Sequence, residues 1–108
     1  MSAVVVYVTA ASREDALAIA RTIVGERLAA CANVSPAVDS IYWWEGELIQ
    51  DTEASLILKT TEHRLPALIA RVRAVHPYAC PAIVAWRLCD GNPDYLSWIE
   101  SETAPPPP

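Results

Sequence analysis

The 108-residue chain has no phenylalanine, three glycines, two histidines, and eight lysines and arginines against thirteen aspartates and glutamates. Each scarcity excludes something. A net charge of −5 leaves no basic stripe to meet phosphates, so nucleic acid is not an expected partner. Three glycines do not make a Gly-rich phosphate cradle, and G-x-S-x-G and a Cys/His pair at readable spacing are both missing. The expectation is therefore a protein that is not an enzyme. Cys31, Cys80 and Cys89 are odd in number and form no CxxC, which fits reduced thiols in a cytoplasmic protein. No run approaches the ~18 apolar residues of a membrane span, so no membrane partner is expected. The opening MSAVVVYVTAASRED lacks a basic segment and a cleavage site, and reads as a strand entering a helix rather than as a signal peptide.

What is present is hydrophobicity, 53% of the chain, with four tryptophans and four tyrosines. Residues 3–9 are a β-branched run, a strand buried on both faces. Ser12 then opens a helix with Asp15 three residues on, and apolar spacing carries it to residues 28–30. Residues 31–44 read as a long strand interrupted at Ser35-Pro36, where proline demands an edge or a bulge. Glu45-Gly46 is a tight turn, and a third strand runs on to Thr60. A second helix covers residues 62–76, with Pro66 in its first turn and His76-Pro77 at its stop. Residues 82–88 are a fourth strand, and Asn92-Pro93-Asp94 caps a last short helix over residues 95–100. The order βαββαβ plus a terminal helix predicts an α+β, ferredoxin-like fold. Its four-stranded antiparallel sheet carries helices on one face, and its second and third strands make a long hairpin. The single domain covers residues 1–101, with the proline-rich 102–108 as a disordered tail.

Such a sheet needs one apolar face, and this one has two. By period two, Tyr42 and Trp44 share one face while Ile41 and Trp43 share the other. A buried Trp is worth on the order of 5 kcal/mol gross. A homo-oligomer assembled through the sheet face and the hairpin, with Tyr42 and Trp43 at the interface, is therefore expected. One ring of the Trp43-Trp44 pair would pack under its own helices and the other against a neighbouring subunit. The alternative is a monomer whose second Trp folds against Trp98.

The segments ERLAACANV (26–34), SIYWWEGELIQ (40–50), LILKTT (56–61), HPY (76–78) and GNPDYLSWI (91–99) resemble, in order, the CutA family of divalent-cation tolerance proteins. The resemblance implies a homotrimer of PII-like architecture and a link to divalent metal ions, copper especially. In some members the copper ligands are a Cys in the first strand and a His pair before Pro-Tyr. Here Val8 and Val75 stand at two of those positions, and only His76 matches.

Two residues are candidate metal ligands. His76 suits Cu(II) or Zn(II), though a histidine at a helix end also serves the helix dipole. Cys31 offers a soft thiolate, or a buried structural thiol. A ligand pocket between subunits is the other candidate, lined by Trp44, Glu53, Lys59 and Tyr78. Glu53 and Lys59 lie on one face of the third strand, and could equally form an intersubunit salt bridge. The expected function is divalent-cation tolerance through weak metal binding. The alternative is a PII-like sensor holding a small ligand or protein partner in the cleft.

Overall fold

The run AVVVYVTA becomes the inner strand of the sheet, flanked on both sides and buried at all but two positions. A computed structural model describes residues 2–105. The elements are β1 (Ala3–Ala10), α1 (Arg13–Gly25), β2 (Cys31–Trp44), β3 (Glu47–Thr61), α2 (Leu65–Val75), β4 (Ile83–Arg87) and α3 (Pro93–Thr103). All strand pairs are antiparallel and the sheet order is β2-β3-β1-β4, the expected ferredoxin-like arrangement. Prolines 106–108 of the anticipated tail lie outside the described residues.

Local chemistry explains where the elements stop. Ser12 accepts a hydrogen bond from the Asp15 amide at 3.2 Å, which starts α1 as anticipated. The helix ends at Gly25, earlier than the apolar spacing implied. Arg27 takes a positive φ of 60°, and the amides of Arg27 and Leu28 turn back to the carbonyls of Val24 and Ile23. That is a Schellman closure with arginine where glycine is usual. Leu28 still packs on the core, but from the cap rather than from the helix. Residues 62–64 form a turn, so α2 begins at Leu65 with Pro66 in its first turn. It ends where His76 becomes extended ahead of Pro77. The last helix runs to Thr103, so residues 102–103 are ordered and not part of a tail. Thr103 is buried, and its carbonyl accepts from Arg64 Nε at 2.7 Å.

The core lies between the sheet and helices α1 and α2. Val6, Val8, Ala54, Leu56 and Leu58 pack there with Ile19, Ile23, Leu68 and Val72. On the opposite face, α3 covers only one end of the sheet. Its Tyr95 hydroxyl lies 3.4 Å from Cys31 Sγ, and Lys59 Nζ sits 5.7 Å from the Tyr95 ring centre. Trp98 stacks on Tyr95, not on either hairpin tryptophan.

The strands differ greatly in length. β1 pairs with β3 only from Ala54 to Thr61. Residues 47–53 and their β2 partners 38–44 therefore run on without a third strand. At ~3.3 Å per residue this ribbon projects roughly 23 Å. A register shift between Ser35 and Val38 marks the bulge that Pro36 predicted. Glu45 and Gly46, with φ of 49° and 81°, close the tip as a two-residue turn of the primed type.

The core assignment has a direct test. Leu56 is fully buried, so Leu56→Ala is expected to cost about 2–5 kcal/mol in urea denaturation.

Candidate functional site

Residues paired across antiparallel strands share a face. Val38 pairs with Glu53, Ser40 with Asp51, Tyr42 with Ile49 and Trp44 with Glu47. All of these stand on the face away from α1 and α2, as do Tyr7 and Thr9 of β1. The end of the sheet that α3 leaves uncovered, the base of the hairpin and the 78–82 segment together enclose a cavity of about 760 Å³. Tyr42, Trp44 and Tyr78 supply aromatic walls, and Asp51 and Glu53 line it with carboxyl groups; Asp39 borders it but, paired with Thr52, belongs to the other face of the ribbon.

Glu53 is the most deeply set of these acids, 7% exposed. The Tyr78 hydroxyl donates to its Oε2 at 2.9 Å. Burial first, then the Glu53 hydrogen bond and the nearby Asp51 and Glu53 charges, push the Tyr78 hydroxyl up to about 12. Tyr42 is also raised, by desolvation and then by Asp51 and Glu53. The cavity thus carries a negative field inside aromatic walls.

Three of the four anticipated pocket residues, Trp44, Glu53 and Tyr78, meet here. Lys59 does not. Six residues from Glu53 along one strand, it lies about 20 Å away on the same face. There it donates to Asn33 Oδ1 at 3.2 Å, under α3. Lysine and glutamate of one subunit therefore cannot meet in one pocket or salt bridge. Asp51 was missed, although its alternation with Glu53 along a strand was readable. Cys80 carried no such signal, because a loop places it.

The candidate metal ligands are also apart. His76 is 7% exposed, and both its ring nitrogens are in use. Nδ1 accepts from the Tyr78 amide at 3.1 Å, so the proton sits on Nε2, which donates to the Thr9 carbonyl at 2.7 Å. No lone pair is left for a metal, and the ring instead fixes the loop that carries Tyr78. Cys31 pairs with Lys59, which faces Val5 of β1, four residues from Thr9 and roughly 13 Å along the strand. Among the described residues, no three His, Cys, Asp or Glu side chains group to hold an ion. Within one chain the residues do not fit a metal site.

The hairpin tryptophans differ from expectation too. Trp44 lines the cavity and is 50% exposed, while Trp43 points to the other face beside Leu48 and is 73% exposed. Neither packs under the subunit's own helices, because α1 and α2 lie over the core strands and the ribbon projects beyond them. Tyr42, placed at the interface from sequence, lines the cavity beside Trp44.

A family model described as CutA1 divalent ion tolerance protein matches residues 4–102. The chain belongs to the CutA1 family. It is 48% identical over 99 residues to the divalent-cation tolerance protein CutA of Thermus thermophilus, covering 92% of this chain and 96% of that protein. It is 43% identical to the chloroplastic Protein CutA 1 of Oryza sativa, covering 93% of this chain but 56% of that longer protein. The solved Thermus structure superposes with a TM-score of 0.91 at 47% identity, over 94% of this chain and 99% of that one. The crystal structure of CutA1 from Oryza sativa gives 0.92 at 42%, over 95% and 94%.

The Tyr78 environment generates a pH prediction. The folded value lies above the ordinary 10.0, so protonated Tyr78 favours the fold below pH 10. That contribution is lost as pH rises through about 12. Ultraviolet titration of tyrosinate should show a late-titrating group that Tyr78→Phe removes. Glu53→Gln should lower its midpoint while leaving it above the ordinary value, because burial is the larger cause.

Proposed function

We propose that the protein acts in divalent-cation tolerance as a homotrimer, binding its ligand rather than transforming it. The observation that carries the assembly is the projecting ribbon. Ile41, Trp43, Trp44 and Leu48 stand exposed on both its faces, and Val84 and Trp86 are exposed on the edge strand β4. A two-stranded ribbon is marginal in water by itself, and exposed apolar surface of this extent marks an interface. Laying each ribbon on a neighbouring subunit covers both. The number three rests on the family resemblance. Three free thiols suit the reducing, cytoplasmic setting of this reading.

Light scattering on an eluting size-exclusion peak tests the assembly. Three 11.8 kDa chains give about 35 kDa, and Trp43→Asp with Leu48→Asp should shift the mass toward the monomer. A wild-type mass of one chain at micromolar concentration defeats the proposal.

Copper is the proposed ion on this reading. It is bound weakly, with donors drawn from more than one subunit and the Cys31 thiol as the soft contributor. Calorimetric titration of the assembled protein with Cu(II) should show saturable binding that Cys31→Ser weakens. Binding unchanged in both Cys31→Ser and His76→Asn removes both residues from the site.

The cavity favours a second reading, a PII-like sensor module in which a small ligand or a partner group enters beside Trp44 and Tyr78. Its volume of about 760 Å³ lies in the range of small-molecule sites.

A further inference from the structure

Lys59 is the only lysine of the chain, and it is the one basic residue that a strand presents on the face away from α1 and α2. Arg87, the other basic residue on a strand, pairs with Val4 and so faces the helices. Arg27, Arg71 and Arg87 are already paired within the chain, with Glu102, Glu26 and Glu62. Arg64 donates to the Thr103 carbonyl, and Arg13, Arg21 and Arg73 belong to α1 and α2 across the sheet.

Lys59 is half-buried, yet among the described residues no carboxylate reaches its ammonium. Its Nζ donates to the neutral Asn33 Oδ1 and lies 5.7 Å from the Tyr95 ring centre, which leaves N–H donors free. At the other end of the same face Asp51 and Glu53 stand together, and the cavity lining there holds no lysine or arginine. Each end lacks what the other has. Roughly 20 Å of β3 separates them, more than the ~8 Å over which exposed charges act at physiological salt.

A closed ring joins two different patches at every contact. Like ends brought together would set acid against acid, whereas unlike ends set an ammonium against carboxylates. The exposed aromatic surface follows the same division. Tyr42 and Trp44 stand beside the acids, and Tyr95 and Trp98 stand at the lysine end, so rings meet wherever the charges do.

We propose that the cavity is an intersubunit site completed by Lys59 of the partner subunit, whose ammonium sits against Glu53 and Asp51. The inference rests on the assembly proposed above and goes further by naming the ends that meet. Every subunit then sends its lysine to one neighbour and receives that of the other, and the charges are matched around the ring.

Carbodiimide coupling tests the contact on the wild-type, full-length protein, because it joins an amine to a carboxylate only where the two touch. Lys59 is the one side-chain amine. Across ~20 Å a link from it to Glu53 or Asp51 cannot form within a chain, so such a link joins two chains. The expected result is covalent dimers and trimers on a reducing, denaturing gel, with peptide mass spectrometry placing the link between Lys59 and Glu53 or Asp51. A double-mutant cycle is the second measure. Lys59→Met and Glu53→Gln should each lower the thermal midpoint of the assembled protein, and the double variant should fall short of their sum, whereas distant residues of one chain would add. An oligomer that forms no such link and whose two substitutions add overturns the pairing and leaves the assembly standing. A light-scattering mass of a single chain overturns the assembly and this pairing with it.

Discussion

The structure depends on one mismatch, the fifteen residues of β3 against the eight of β1. Where the two strands overlap, the sheet has a third strand and two covering helices, and the core is closed. Where β3 runs on, only β2 accompanies it. The ribbon keeps its backbone hydrogen bonds but has lost the layers that would bury its side chains. Its sequence nevertheless stays aromatic and aliphatic at 41–44, 48 and 49. Apolar side chains without a covering layer cost free energy in the monomer. The ribbon therefore makes sense as half of a contact.

The same mismatch creates the cavity. α3 closes the face away from the core at the end where Cys31, Lys59 and Tyr95 meet. It does not reach the other end, where Tyr7 and Thr9 form a floor and the base of the ribbon a wall. The one lysine on that face is held under α3 with Asn33, and the acids cluster at the opposite end. Charge is thus separated along a single face of one sheet. A second copy arriving over this face meets acids at one end and an ammonium at the other, which favours a defined orientation over a sliding contact.

Much of the fold was legible because it rests on local rules. The Ser12 cap, the Pro36 bulge, the Glu45-Gly46 turn and the His76-Pro77 stop each follow from one residue's backbone chemistry. Helix ends read from hydrophobic spacing were less secure. Leu28 satisfies the spacing of α1 while standing outside it, since a Schellman cap returns an apolar side chain to the same core. In the site, period two put Glu53 and Lys59 on one face and so made them appear neighbours, while Trp44 and Tyr78 came from the family resemblance. Sharing a face says nothing about distance along the strand. His76 looked like a ligand from its residue type. Its role was set by the Thr9 carbonyl and the Tyr78 amide, one of them 67 residues away in sequence.

Glu53 shows how these features join. A carboxyl group withdrawn from water is tolerated only where donors replace the lost hydration. Tyr78 supplies one donor, and it is in place because His76 pins the following turn to the end of β1. Among the described residues no second donor reaches Glu53, and no buried side-chain oxygen is left both sealed and unpaired, so its other oxygen keeps access to solvent. Packing against a neighbouring subunit alone would be better served by an uncharged residue at 53, because removing both partners of a buried polar contact can be nearly neutral. Retaining Glu53, with Asp51 beside it and aromatic rings around both, leaves a negative patch at one end of this face that a cationic group on a partner would complement.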